Sequence, residues 1–213
     1  MNTENQNVFT PISHFPTTVY TIDKSDYLDV VRTVSDDYLS EAKKNQKVNA
    51  IYPVIMTNSL LNDTRIVNFA NFIAQAGWTI LDNQGYNMNS HMTYVSELWC
   101  QEHQKSSGME QHTHPFGVLL SGFYFLDVPD DSCMIQIYDP RSSKVQLSLP
   151  EKDNTIITEA SNSMYIKPKD GMMVISNSWL PHSFTRNGSD SSCKFIHFNI
   201  SVRQIQPETT TVV

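Results

Sequence analysis

Two histidines separated by one residue, His112 and His114, are the most chemically informative feature of the chain. Alternate residues of a β-strand point to the same side of a sheet, so both imidazoles could contact one metal ion. A third histidine, His182, lies later in PKDGMMVISNSWLPHSF and could supply a ligand from another strand. An isolated pair of this kind also occurs as surface or hydrogen-bonded core histidines, so the neighbouring segments decide between these interpretations.

The composition argues against two classes of partner. The chain has 213 residues, 17% of them charged, and a formal net charge of -7, which offers no basic surface to a phosphate backbone. It has neither a long apolar run nor the pattern of a secretory signal. We therefore expect no nucleic-acid partner, no membrane partner and a cytoplasmic location. The three cysteines lack a C-x-x-C spacing, which is typical of reduced, buried thiols.

Two amphipathic segments follow a polar N-terminal tail. SDYLDVVRTVSDDYLSEAKK and NDTRIVNFANFIAQAG both carry apolar residues at spacings of three and four, which predicts helices with one buried face. We expect Asn62 or Asp63 to begin the second helix and Gly77 to end it.

From Thr79 onward, short segments rich in β-branched and aromatic residues alternate with turn residues. About nine strands are predicted, in MTYVSELWC, GVLLSGFYFLDV, CMIQIYD, KVQLSL, TIIT, SMYIKP, MMVIS, HSFT and CKFIHFNISV. This order predicts an α+β fold that is mainly β, with N-terminal helices packed on an antiparallel jelly roll. We expect a single domain over residues 1–213, with a tail and helical layer in 1–90, a β core in 91–203 and a loose tail in 204–213.

Strand alternation also predicts which side chains enter the interior. If the strand that begins at His182 continues, Phe184 and Arg186 share its face. The last strand has a more polar face, expected to line a pocket, and a mostly apolar face, expected to meet the helices. The first face holds Cys193, Phe195, His197 and Asn199, and the second holds Lys194, Ile196, Phe198 and Ile200.

The strings HTHPFGVLLSGFYFL, IYDPR, KPKDGMMVISNSWLPHSF and FNI follow one another between Trp99 and Asn199. This stretch resembles the 2-oxoglutarate/Fe(II)-dependent dioxygenases, in particular an oxygenase branch common in tailed bacteriophages and marine bacteria. The resemblance implies a double-stranded β-helix, a cupin-like jelly roll, that holds Fe(II) between an early ligand pair and a distal histidine. It implies His112, His114 and His182 as the metal ligands and no catalytic residue beyond them.

The chain departs from this family at His114. Most relatives carry a carboxylate at that position of the ligand pair. Either three imidazoles bind the iron, which is the interpretation we favour, or the carboxylate of Asp139 or Glu110 replaces one of them. Without a carboxylate the site is one charge more positive, and imidazole still suits Fe(II).

The activity implied by the resemblance is hydroxylation of a C–H bond. Fe(II) and 2-oxoglutarate are the cofactors, oxygen is consumed, and succinate and CO2 are released. The far carboxylate of 2-oxoglutarate is expected to bind a cation. Relatives place an arginine on the last strand, where Lys194 is the nearest match, and Arg186 and Arg141 are the alternatives. No motif identifies the substrate, which is a protein or a small molecule.

Two other functions are compatible with the pattern. One is a cupin-type metal-binding protein, either an isomerase or a sugar-binding module, although Val118 and Leu119 occupy the region where cupins carry a glutamate. The other is a non-catalytic phage jelly-roll protein with incidental histidines. The histidines fall where ligands belong, which favours the oxygenase, acting in the host cytoplasm if the chain is phage-encoded.

Overall fold

Helices cover one face of a β-structure, as the amphipathic segments predicted. The computed structural model describes residues 10–146 and 149–205, and within them helix α1 spans Leu28–Asn45 and helix α2 spans Val67–Asn83. A short 3-10 turn precedes each helix, and the Asp63 side chain accepts a hydrogen bond from the Arg65 amide at the start of the second. None of the helices in these residues is long and apolar enough to cross a membrane.

Gly77 lies inside α2 rather than at its end, which corrects the sequence prediction. A Cβ atom at this position would lie 2.9 Å from both Cδ1 and Cγ2 of Ile200. The glycine therefore permits a close approach of helix and sheet, and α2 continues to Asn83. In sequence, a glycine that ends a helix and one that allows close packing give the same signal.

Ten strands are assigned in residues 10–146 and 149–205. They are β1 (Val19–Asp23), β2 (Val54–Met56), β3 (His91–His103), β4 (Met109–His112), β5 (Val118–Asp127), β6 (Ile135–Tyr138), β7 (Ser163–Ile166), β8 (Met172–Asn177), β9 (His182–Phe184) and β10 (Cys193–Gln204). A six-stranded sheet has the order β1-β8-β5-β10-β3-β2, and a four-stranded sheet has the order β4-β9-β6-β7. All pairs are antiparallel, so the predicted mainly-β jelly roll with packed helices is confirmed.

Two of the predicted strands were wrong. The first half of KVQLSL, residues 144–146, falls in a 3-10 turn at Ser142–Gln146, and residues 147–148 lie outside the described part. TIIT forms turns and bends, since the amide and hydroxyl of Thr155 donate to Asp153 and the two isoleucines are exposed. Conversely, β1, β2 and β4 were not among the nine predicted strands. The first two lie in the region predicted as tail and helical layer, which therefore also contributes two strands to the larger sheet.

Two apolar cores lie on opposite sides of the six-stranded sheet. Residues of both helices pack against Phe198 and Ile200 of β10 on one side. On the other side, between the two sheets, Phe195 packs with Phe123, Phe125 and Phe184. The two faces of β10 are therefore directed as strand alternation predicted.

His103 lies at the end of β3 inside the inter-sheet core. Its side chain is fully buried, and its ring lies 4.9 Å from that of Phe195 and 6.0 Å from that of Phe184. Its Nε2–H donates to Oε1 of Gln101 at 3.0 Å. Burial lowers the pKa of His103 to about 4, from an ordinary value of 6.5, because charging the imidazole in this environment costs free energy.

Replacing Gly122 of β5 with alanine is expected to destabilise the fold. The added Cβ would lie 2.6 Å from the carbonyl oxygen of Val174 and against the ring of Phe198, and overpacking of this kind costs about 1–3 kcal/mol. Gly77→Ala is the matched comparison and should destabilise the fold less. Its added Cβ would meet the side chain of Ile200 and not a backbone atom, and alanine is favoured over glycine by about 1 kcal/mol inside a helix. Chemical denaturation measures both, and equal stability of Gly122→Ala and the wild type would contradict the packing described.

The free energy of unfolding is expected to decrease as the pH falls from about 6.5 to about 4. In that interval the unfolded chain protonates His103 while the folded chain resists, so the folded state loses stability, by up to about 3 kcal/mol for this one group. His103→Leu removes the contribution. Chemical denaturation of the metal-free protein across this range measures the free energy of unfolding at each pH. Its slope against pH should be smaller in the variant by close to one proton. Identical slopes in the variant and the wild type would contradict the lowered pKa of His103.

Candidate metal centre

The pairing of β4 with β9 brings the first and last histidines of the sequence pattern together. His112, the final residue of β4, is the register partner of His182, the first residue of β9. Their ring centroids lie 4.5 Å apart. His182 is almost fully buried and His112 is half-buried, so the pair lies where the barrel interior meets its opening.

His114 reaches the same point by a different route from the one predicted. It lies two residues beyond the end of β4, so strand alternation does not place it. Its backbone amide instead donates to the carbonyl of Ser178 at 2.9 Å. This contact brings the Nε2 atom of His114 to 3.3 Å from the Nε2 atom of His182.

Backbone carbonyls fix the orientation of two of the rings. The Nδ1–H of His112 donates to the Glu110 carbonyl at 2.8 Å, and the Nδ1–H of His182 donates to the Leu180 carbonyl at 2.9 Å. Since a carbonyl oxygen only accepts, each ring carries its proton on Nδ1 and keeps a lone pair on Nε2. This is the usual arrangement of metal-binding histidines, in which the second nitrogen is held by another group.

Two of the imidazoles, those of His114 and His182, are held in the neutral form that binds metals. Burial is the main cause that lowers the pKa of His114 to about 3 and that of His182 to about 4, and neighbouring imidazoles lower both further. Neutral nitrogen donors are therefore present across the physiological pH range.

The donor set fits a divalent transition metal. One ligand atom from each of His112, His114 and His182 can be chosen so that all lie within 4.8 Å of one another. Two nitrogens bound at right angles to one ion, with bonds of about 2.1 Å, lie about 3 Å apart, close to the 3.3 Å between His114 and His182. Imidazole ligands suit iron.

Neither alternative carboxylate belongs to this group. Asp139 pairs with Arg141 at 2.8 Å and Lys144 at 3.0 Å, and the bond from Arg141 holds the pKa of its carboxyl well below the usual range. Glu110 contributes its backbone carbonyl to His112, while its exposed side chain lies at the rim of the adjoining pocket.

An open pocket adjoins the histidines. Its walls combine apolar side chains from β2, β4 and the turn after His114 with inward-facing residues of β3 and β10. The lining includes Met56, Met109, Pro115, Trp99, Gln101, His197 and Asn199. The pocket gives a substrate access to the side of His112 and His114.

His197 also lies at the centre, although the sequence assigned it no role. It is almost fully buried, its ring stacks on His114 at 5.1 Å, and it lies 4.2 Å from the ring of Trp99. Burial lowers its pKa well below the ordinary value. Its position on the inward face of β10 was the only sequence signal, and that signal does not distinguish a pocket histidine from a core histidine.

The three predicted cations lie away from the pocket. Lys194 is on the helix side of β10, paired with Asp36 at 2.8 Å and Asp127 at 2.5 Å. Arg186 follows the end of β9 at Phe184, so alternation no longer applies, and it donates to the Ser106 carbonyl from an exposed position. Arg141 is exposed and bound to Asp139.

Solved structures share this architecture. AviO1 from Streptomyces viridochromogenes Tue57 superposes with a TM-score of 0.62 at 11% identity, covering 90% of this chain and 92% of that one. A prolyl-4-hydroxylase from Pseudomonas putida gives 0.57 at 10% identity, with 87% and 92% covered. The epimerase SnoN, in complex with Fe3+ and alpha ketoglutarate, gives 0.54 at 12% identity, with 92% and 88% covered. At these identities the likeness shows the fold.

A family match covers the part of the sequence that holds the three histidines. No curated protein sequence matches the chain, but a family model described as "Putative 2OG-Fe(II) oxygenase" matches residues 97–199. That range holds His112, His114 and His182 together with the strands that position them. Over these residues the chain matches the 2-oxoglutarate/Fe(II)-dependent oxygenases, enzymes that use Fe(II) and 2-oxoglutarate.

Proposed function

We propose that the protein hydroxylates a C–H bond of an organic substrate, consuming 2-oxoglutarate and oxygen and releasing succinate and CO2. The observation that carries the proposal is the convergence of three imidazoles beside an open pocket. The protein would act in the cytoplasm, which is consistent with an acidic chain that carries three free cysteines.

His112, His114 and His182 would hold Fe(II) through their Nε2 atoms. When bound, the iron and 2-oxoglutarate supply the oxidising chemistry. Three nitrogen ligands leave coordination places for co-substrates. The absence of a carboxylate from this group leaves the centre with the full double charge of the ion.

The chain's own residues would orient the imidazoles and surround the metal centre with apolar side chains. Phe123 contacts both His182 and His197, with ring centroids 5.6 and 5.5 Å away. Behind it, Phe184 and Phe195 stack on each other at 4.8 Å. This aromatic cluster packs behind the histidines, in the apolar core between the two sheets.

The pocket walls favour a substrate with an apolar portion. Met56, Met109 and Pro115 line the pocket, and burial of apolar surface there would provide binding free energy. A peptide segment or a small molecule fits this description equally, and the geometry selects neither.

Anaerobic addition of Fe(II) and 2-oxoglutarate to the metal-free protein is expected to produce a weak visible charge-transfer band, and oxygen should then release succinate. His182→Ala should lose the band and most of the bound iron, because it removes a buried ligand. Asp139→Asn is the matched control: Asp139 pairs with Arg141 and Lys144 away from the centre, so iron content should be retained.

The outcomes separate the candidate functions. Iron binding without a 2-oxoglutarate-dependent band would favour a cupin-type metal protein. Absence of both would favour a non-catalytic jelly roll. Unchanged iron content in His182→Ala would show that the metal site lies elsewhere.

A further inference from the structure

We propose that the substrate carries a positively charged group, an ammonium or a guanidinium, on an aliphatic stem, and that Glu97 and Glu110 bind this group. The inference rests on the proposed function, because it names the class of substrate that enters the same pocket. The side chains of lysine and arginine have this chemistry, either within a peptide or in a free small molecule.

The charged side chains on the pocket wall are all of one sign. Glu97 of β3 and Glu110 of β4 line the pocket, and among residues 10–146 and 149–205 no lysine or arginine does. Both glutamate side chains are exposed, so a solute can reach them. Neither belongs to the group of possible metal ligands, which is formed by the three histidines. A cation that enters the pocket therefore meets two carboxylates that are free of the metal.

Both carboxylates belong to residues that are tied to the wall of the pocket. Glu97 accepts a hydrogen bond from Nδ2 of Asn199, which is almost fully buried in β10. The backbone carbonyl of Glu110 accepts the bond from Nδ1 of His112 at 2.8 Å. All four residues line the same pocket. A group bound by the two carboxylates therefore lies in the space that adjoins the histidines.

Aromatic rings provide a second feature of the wall that favours a cation. Tyr52 and Trp99 are half-buried and line the pocket with the two glutamates. Burial, followed by the nearby charge of Glu110, raises the pKa of Tyr52, which places that carboxylate beside the ring. The faces of tyrosine and tryptophan rings attract ammonium and guanidinium groups. Rings and carboxylates together recognise a cation that is partly withdrawn from water.

The apolar part of the wall suits the stem of such a substrate. Met56, Met109 and Pro115 line the pocket between these polar groups. Lysine and arginine side chains bury their methylene groups against apolar surface while their charged ends remain with water or a counter-charge. An aliphatic cation therefore uses both kinds of surface that the pocket offers.

The co-substrate of the proposed function strengthens the requirement for a cation. Fe(II) carries two positive charges, and 2-oxoglutarate, a dianion, brings two negative ones. These charges cancel, so the carboxylates of Glu97 and Glu110 remain in excess and no lysine or arginine among the described residues of the wall offsets them. A positively charged substrate would offset them, whereas a negatively charged one would add to the excess.

The test compares probes that differ in charge and share a similar stem. Protein saturated with Co(II) and 2-oxoglutarate is titrated with acetylated, amidated pentapeptides that carry lysine, arginine or norleucine between glycines, and calorimetry gives the dissociation constants. The wild type should bind a charged peptide about tenfold more tightly than the norleucine peptide. This preference should shrink as salt is added, because salt screens the carboxylates.

Conservative variants assign the preference to the two glutamates. Glu97→Gln and Glu110→Gln should each weaken the charged peptide about two- to fivefold and leave the norleucine peptide unchanged. Glu41→Gln is the matched control, because it makes the same change in net charge on α1, where Glu41 pairs with Lys44 at 2.8 Å. It should alter neither peptide.

A second pair of probes identifies the source of the cation. Hexylammonium and 1-hexanol have the same stem and no peptide backbone. A preference for hexylammonium that depends on Glu97 and Glu110 would support a free amine as the substrate. A preference seen with the peptides alone would support a peptide side chain.

The results separate this inference from the proposed function. Equal affinity of the wild type for charged and uncharged probes would overturn the inference, and so would a preference that persists in both glutamate variants. If the charge-transfer band and succinate release are observed in such a case, the function stands without it. If the cation preference depends on the glutamates but neither band nor succinate is observed, the proposed function fails and the preference of the pocket stands.

Discussion

The hydrogen bonds between main-chain carbonyls and the three histidines are the interaction on which the site depends. The segment between β8 and β9 supplies two of them: the Ser178 carbonyl binds the His114 amide, and the Leu180 carbonyl binds Nδ1 of His182. The same segment is tied back to β5, because the Ser178 hydroxyl donates to the Val118 carbonyl at 2.6 Å. Rigid backbone therefore aims the imidazoles, and two of them need no further side chain to set the tautomer.

The two faces of the six-stranded sheet have different roles: one packs against the helices and the other faces the site. On its outer face, Ile196, Phe198 and Ile200 of β10 pack under the helices, and Lys194 forms a bridge between Asp36 of α1 and Asp127 of β5. On its inner face, the same strand presents Phe195, His197 and Asn199 to the barrel. Because the period of a strand is two residues, one strand serves both purposes without conflict.

Much of this arrangement could be predicted from local patterns, and the failures have physical reasons. Alternation along β10 correctly separated the two faces because that strand is long and paired on both sides. The same rule misplaced Arg186, since β9 ends at Phe184, and it gave the wrong reason for His114, which follows its strand. The prediction that Gly77 ends a helix was wrong because the distance between a helix and a sheet depends on the tertiary structure, which local patterns do not contain. The support of Gln101 by His103 was invisible because neither residue belongs to a motif.

The negative charge of the pocket lies on its wall and not in the group of three histidines. Burial lowers the pKa of His114, so this ring is a neutral donor. The carboxylates of Glu97 and Glu110 line the same pocket, and no lysine or arginine among the described residues does. A cation held by the three histidines would therefore be balanced by carboxylates of β3 and β4 that face the pocket, in place of a carboxylate at position 114.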